Sequence, residues 1–418
     1  MDDREQRGLV IAATKPIRQR GVNWYVPSAT GNGTYKVEPE PDRTIGEWLC
    51  ECPDFQLRAK PCKHVHAVTF TMQRETVTIT DDVVVTETET TSVRLTYGQD
   101  WTNYNKAQCA EGDLFGPMLK DLCSTIAQPE QKGPGRPRMP LSDMAYNCVG
   151  RVYSGLSARR FDSDVREAHE DGMTDSDAHY NTTLKYLRDP KMTPILIGLV
   201  GLSAAPLAEV ESSFAADSTG FTTSRFERWY DHKWGKERSR HEWVKLHAMC
   251  GTKTNVVTSV QLSDGHANDT RFLPALVADT AERFTMDKVT ADKAYSSKNN
   301  MQVIEDAGAA AYIPFKGGWP TLQLEMMPEL HPETSVFYRM KHMFIYQREM
   351  FLQHYHCRSN VETTFSMIKR KFGDSLRSKS EVGQYNEILC KVVAHNICVL
   401  IACMFEMGLP MPEFAAAE

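Results

Sequence analysis

Four residues near the carboxyl end are spaced to act together. Tyr355, Arg358, Glu362 and Lys369 stand at −7, −4, 0 and +7 relative to Glu362. On a single α-helix that spacing puts them within about a 60° arc of one face. A carboxylate there can ligate a divalent cation, while guanidinium, ammonium and phenol groups hold phosphate oxygens. The set suits a metal-assisted attack on a phosphodiester. A solvated helix laced with i,i+4 ion pairs is the plainer reading of any one of these charges, and it is the joint spacing that argues against it.

Two aspartates belong in the same picture. Asp217 closes the apolar run Phe214-Ala-Ala, and Asp292 closes Val289-Thr-Ala. Each is expected to end a strand and lead into a polar loop, where chemistry gathers in open α/β sheets. With Glu362 from a helix alongside, they could cage hard cations; two such ions about 3.5–4 Å apart activate a hydroxyl and stabilise a leaving oxygen. A lone Asp at a strand end is ordinarily a turn former or helix cap. Asp264, Asp269 and Asp287 are read in that plainer way.

A second constellation has soft ligands. Cys50-x-Cys52-x9-Cys62-x-His64 supplies four donors, enough for a closed tetrahedral zinc site. A set of free thiols is the alternative, and the paired spacing argues against it. His66 lies outside the pair and is not expected to ligate.

The elements that must position these groups follow from pattern. Of 418 residues 41% are hydrophobic, so a sizeable core and more than one domain are expected. The net charge of −6 hides segregation: Tyr355 to Lys379 carries six basic residues against two acidic, and Thr76 to Thr91 four acidic and no basic. The charged opening has no signal-peptide pattern, and Thr193 to Ala208, broken by Pro194 and Pro206, reads as a buried helix rather than a membrane span. The eleven cysteines lack a secreted disulfide spacing; Cys390, Cys398 and Cys403 read as small buried hydrophobes. The expectation is a soluble protein of a reducing compartment.

Residues 1–73 read as a small β-rich module, with strands at Asn23–Pro27 and Thr34–Val37, and 74–134 as a connector. Residues 135–210 read as a helical segment, with helices at 141–153 and 158–169 in a helix-turn-helix-like outline. From 211 to 405 the order β-β-β-α-β-α-β-α gives an α/β class, a hairpin-built half followed by crossover helices, with strands from Ser213, Trp243, Asn255, Lys288 and Ala310 and a helix over 269–284. A tail covers 406–418. Pro134-Gly-Arg136-Pro-Arg138 is similar to an AT-hook core, which lays arginines into a narrow minor groove, and a plain linker reads equally well. The stretch from Arg225 to Lys245 has seven basic residues and three tryptophans; it is a candidate DNA lining, with Trp243 expected in the core.

Tyr355, Arg358, Glu362 and Lys369 resemble the YREK signature of bacterial insertion-sequence DDE transposases. Ala216-Asp217-Ser-Thr-Gly-Phe, Leu262-Ser-Asp-Gly-His-Ala-Asn-Asp-Thr270, Ala291-Asp292-Lys-Ala-Tyr and Lys369-Arg-Lys-Phe-Gly373 extend the resemblance over roughly 135–403. It implies a ribonuclease-H-like catalytic domain, a mixed sheet flanked by helices, in which Asp217, Asp292 and Glu362 hold two Mg²⁺ (or Mn²⁺) ions. It implies DNA strand cleavage and strand transfer, with Arg358, Lys369 and Tyr355 at the phosphates and Arg136 and Arg138 as further DNA contacts. Double-stranded DNA, as transposon ends and target, would be the partner of a homodimer, in the cytoplasm at the nucleoid and with no membrane. Only about 70 residues separate Asp292 from Glu362, so a large β insertion has little room. Cys50, Cys52, Cys62 and His64 are similar to the SWIM zinc finger, which implies Zn²⁺ and binding to DNA or protein. A catalytically silent DNA-binding descendant, or a nuclease of this fold without strand transfer, are the alternatives.

Overall fold

A computed structural model describes residues 3–20, 22–28, 33–39, 48–58, 60–76, 100–130, 138–223, 243–316 and 335–415. It has two units, Met1–Thr96 and Tyr97–Glu418.

In the first unit, β1 (Arg18–Arg20), β2 (Asn23–Pro27), β3 (Thr34–Pro39) and β4 (Trp48–Cys50) form an antiparallel meander. Strand alternation turns Trp24 and Val26 inward, where they meet Val37 and, from helix Lys63–Thr76, Val65 and Val68. Helix Asp3–Thr14 was not expected from the charged opening; it buries Ile11 in this core. Gly8 makes the contact possible, since a Cβ there would stand 2.5 Å from the His66 Cβ on the facing helix. So small a core leaves room for a metal to carry part of the stability.

The second unit is built on a five-stranded sheet in the order β7-β6-β5-β8-β9. β5 (Ser213–Thr222), β6 (Trp243–Gly251) and β7 (Val257–Asp264) are antiparallel, and β8 (Lys288–Ala291) and β9 (Ala310–Tyr312) continue parallel to β5. Helices Leu273–Ala281 and Lys298–Asp306 make the crossovers that parallel pairing demands. This mixed sheet flanked by helices is the ribonuclease-H-like arrangement. Helix Glu381–Met407 runs through the core, carrying Cys390 and Cys403 buried and Cys398 half-buried. It is the one helix among the described residues long and apolar enough to cross a membrane, and its apolar stretch is mostly buried within the unit. Its Asn396 accepts from Val257 N–H at 2.9 Å and donates to Val257 C=O at 2.8 Å, completing backbone bonds at the start of edge strand β7.

Several expectations need correction. The 74–134 stretch is not all connector, because Trp101–Ser124 is a 24-residue helix, capped by Asp100, that buries Phe115, Met118, Leu119 and Leu122. The second helix of the helix-turn-helix outline begins at Asp162, after a turn at 158–161. The expected helix over 269–284 is a 3₁₀ turn, Asp269–Phe272, followed by helix Leu273–Ala281 with Pro274 in its first turn. Trp243 is not core: it opens β6 at 40% exposure and lies over Gly220 and Gly265. The helix expected over 193–208 is present as Met192–Ala204; it buries Leu196, Leu199 and Val200 but leaves Pro194, Ile197 and Gly198 exposed.

Candidate catalytic and metal-binding sites

Asp217 is not at a strand end. β5 continues to Thr222, still paired with β6, but its pairing with β8 stops at Ala216↔Ala291. Asp217 and Asp292 are thus the next residues after the last paired positions of two hydrogen-bonded parallel strands. Asp292 leaves the sheet there and caps the short turn Lys293–Tyr295, accepting from Lys293 N–H at 2.6 Å. Helix Ser359–Phe372 buries Val361, Thr364, Phe365 and Ile368, which leaves Glu362 on its exposed flank. Arg358 joins the two sides: Nη1 donates to Asp217 Oδ2 at 3.0 Å and Nη2 to Glu362 Oε1 at 2.6 Å.

Burial is the main force raising the Asp217 pKa above the usual carboxylate range. The Ser218 N–H and Arg358 pull it down, and the charges of Asp292 and Glu362 push it further up. The signature does not lie on one straight helix, as expected. Tyr355 ends helix Arg348–Tyr355, and a 3₁₀ turn, His356–Arg358, intervenes before the helix that carries Glu362 and Lys369. Tyr355 is nonetheless half-buried beside Arg358; burial raises its hydroxyl pKa, Arg358 opposes this, and Asp292 adds to it. Lys369 shares a groove of about 520 Å³ with Asp217, Glu362, Ser366 and Arg370. Its ammonium sits 5.3 Å over the Phe221 ring, and burial lowers its pKa.

In the first unit the ligating atoms of Cys50, Cys52, Cys62 and His64 all lie within 4.8 Å of one another, and all four residues are buried. Cys50 ends β4, Cys52 starts the turn into helix Pro53–Arg58, and Cys62 and His64 enter helix Lys63–Thr76. Nδ1 of His64 is 3.9 Å from both Cys50 Sγ and Cys62 Sγ. The contact with Cys50 is the main force holding the Cys62 thiol below its ordinary range; burial opposes it and His64 adds to the lowering. Three sulfurs and one imidazole nitrogen at this separation fit a tetrahedral zinc ion. His66 is not in the cluster.

Residues 209–397 match the family model of the transposase DDE domain, and residues 35–72 match that of the SWIM zinc finger. The chain carries a transposase DDE domain, preceded in sequence by a SWIM finger. In the DDE domain the Arg358 fork bridges Asp217 and Glu362, and the charges of Asp292 and Glu362 both act on Asp217; carboxylate oxygens are the donors a hard divalent cation takes.

Beneath Asp217 the DDE domain holds a network that pattern reading missed. Asp269, expected as a plain turn residue, accepts from Lys245 Nζ at 2.6 Å and from Ser218 Oγ at 3.1 Å. His247 Nδ1 is 3.5 Å from Asp269, its Nε2 meets Ser263 Oγ at 2.8 Å, and its ring stacks on Phe272 at 4.0 Å. Burial pushes this histidine down to about 4, so it is neutral near pH 7. Tyr295 is fully buried, and burial pushes its hydroxyl pKa up. A signal existed: Lys245 and His247 are polar residues two apart in an apolar strand, facing Gly220 and Ser218 across the β5–β6 pair. Asp264 does behave as a turn former, accepting from His266 N–H. Arg136, and the Arg225–Lys245 stretch as far as residue 242, fall outside the described residues. Arg138 is exposed and shares a groove with Lys185 and Lys191.

Proposed function

We propose that this chain is an insertion-sequence transposase of the YREK type, cutting and joining DNA at the ends of its element. The observation that carries the reading is the single guanidinium forked between Asp217 and Glu362, with Asp292 one register step away. Asp217, Asp292 and Glu362 would hold two divalent ions, Mg²⁺ or Mn²⁺. When bound, these ions would supply charge stabilisation and activation of the attacking oxygen. Arg358 would turn its fork from the carboxylates to a phosphate, for which its planar geometry is equally suited. Lys369 and Arg370 line the groove along which the DNA backbone would lie, and Tyr355 would orient the phosphate beside Arg358. Residues 135–210, with Arg136 and Arg138, would add DNA contacts, and a homodimer would hold the paired ends.

The test is cleavage and joining of labelled duplexes bearing the element's ends, in Mg²⁺. Asp217→Asn, Asp292→Asn and Glu362→Gln should each lower cleavage at least about 10³-fold with end-binding nearly unchanged, because transition-state stabilisation is lost and most of the DNA contact is not. Cleavage without joined product would instead assign a nuclease, and end-binding without cleavage a catalytically silent descendant. Near-parent cleavage by any one variant would remove that residue from the site.

A further inference from the structure

The zinc module has a charge division that its ligands do not explain. From Gln6 to Val37 there are five basic residues (Arg7, Lys15, Arg18, Arg20, Lys36) and no acidic one; from Glu38 to Asp54 there are six acidic residues and one basic. In the meander β1 is one edge strand and β4 the opposite edge. All three residues of β1 are exposed. Arg18 and Arg20, two apart and on one face, line a groove of about 430 Å³ with Pro16, Tyr25, Pro27 and Thr34. The Arg20 guanidinium lies 5.9 Å over the Tyr25 ring, and the Lys15 ammonium is anchored on Ser28 C=O at 2.7 Å. Among the described residues no acidic side chain lines this groove, whereas Lys36 is already paired with Glu38 at 2.5 Å.

We propose that the β1 edge of the zinc module, through Arg18 and Arg20 with Tyr25 as a platform, binds the phosphate backbone of duplex DNA. Residues two apart on a strand are about 6.7 Å apart, of the order of the separation of successive phosphates along one nucleic-acid strand. Guanidinium forks suit phosphate oxygens, and an aromatic face beside them suits sugar and base. Edge-strand arginines also discourage edge-to-edge aggregation. That role explains a charge on an edge, but not an aromatic-lined groove inside a 32-residue stretch without one acid. The contact is sequence-independent and separate from the carboxylate site. It rests on the DNA-processing reading only for the choice of DNA over an acidic peptide.

The experiment compares the full-length, zinc-loaded parent with the Arg18→Ala/Arg20→Ala double variant, after both are shown to hold equal zinc. Binding to an end-bearing duplex and to an unrelated duplex is titrated against salt with no divalent ion added. The double variant should lose on the order of tenfold in affinity for both duplexes, and its log–log salt slope should fall by about 1.8, two released counterions fewer. Arg18→Glu/Arg20→Glu should lose more. Unchanged affinity and slope would overturn the proposal. So would a variant that binds DNA as the parent does but self-associates or no longer holds a polyglutamate peptide, since the edge would then serve solubility or a protein partner. A parent that binds neither duplex at low salt would sink the DNA-processing reading itself, an outcome distinct from a parent that binds and a variant that equals it.

Discussion

The two candidate metal sites are built on opposite plans. The zinc cluster draws four ligands from a 15-residue span, buries all of them and leaves no open position among them. The candidate carboxylate site takes its three residues from positions 217, 292 and 362, in the middle of one strand, just past the end of another and on a helix, and Glu362 stands exposed beside an open groove. A closed set of soft donors in a small core is a structural staple; an open set of hard donors at the edge of a large core leaves room for a substrate. In the first, metal and fold are coupled. In the second, the sheet and the 381–407 helix provide the fold without any ion, so the site can be changed while the scaffold stands.

That contrast is most sharply broken or upheld by removing zinc. A structural site in so small a core is worth on the order of 10 kcal/mol of apparent folding free energy. Cys62→Ser, or dialysis against a chelator, should abolish the one bound zinc. Amide protection should then be lost across residues 22–76 and kept across 213–312. Equal protection in metal-loaded and metal-free chains would show that the first unit folds on its apolar core alone, and the two sites would no longer differ in kind.

The same contrast decides what could be read from the chain. The zinc ligands were legible because they are local: two pairs at x-spacing of one residue, each on its own turn. The order of elements along the chain was legible from apolar runs ended by small polar segments, and the three carboxylates were singled out by their place in a motif set. Asp269 was not legible, because its partners Lys245 and Ser218 come from two other strands and meet it only through register. Helix Asp3–Thr14 was hidden by its charges, and its packing depends on Gly8, a residue that normally argues against helix. Helix Trp101–Ser124 was hidden by the acid- and threonine-rich segment before it. The straight-helix reading of the signature failed at the 3₁₀ turn, where tighter winding shifts Tyr355 relative to Glu362.

A smaller effect tests whether the open site has a rigid underside. Asp269 holds Ser218 through its hydroxyl, and the Ser218 N–H holds Asp217 Oδ1 at 2.8 Å. Lys245 supplies the countercharge. Loss of such an outer contact typically costs about 10–100-fold in metal affinity or activity. Asp269→Ala should therefore raise the Mg²⁺ concentration needed for half-maximal cleavage by that order, with the melting temperature of the second unit little changed. Lys245→Met should do the same, and the double variant should be no worse than either single, since both cut one chain of contacts. Additive losses, or a fall in melting temperature that accounts for the activity, would reduce the network to packing.

The smallest expected effect concerns Lys369, which separates a phosphate-binding groove from a solvated helix flank. Its ammonium is partly buried over Phe221, and burial outweighs Asp374 in lowering its pKa. A cation held at that cost, two turns from Glu362 and in the same groove, gains most when an anion enters. Lys369→Ala should weaken binding to all duplexes alike and lower the salt slope by about 0.9, one counterion fewer. Arg358→Lys should leave that slope unchanged, because the charge is kept, yet slow cleavage, because an ammonium cannot bridge two carboxylates and then grip a phosphate with the same fork. The pair of variants thus splits charge from geometry. Should both match the parent in binding, slope and cleavage, the groove would carry no DNA, and the open plan of the second site would need another substrate.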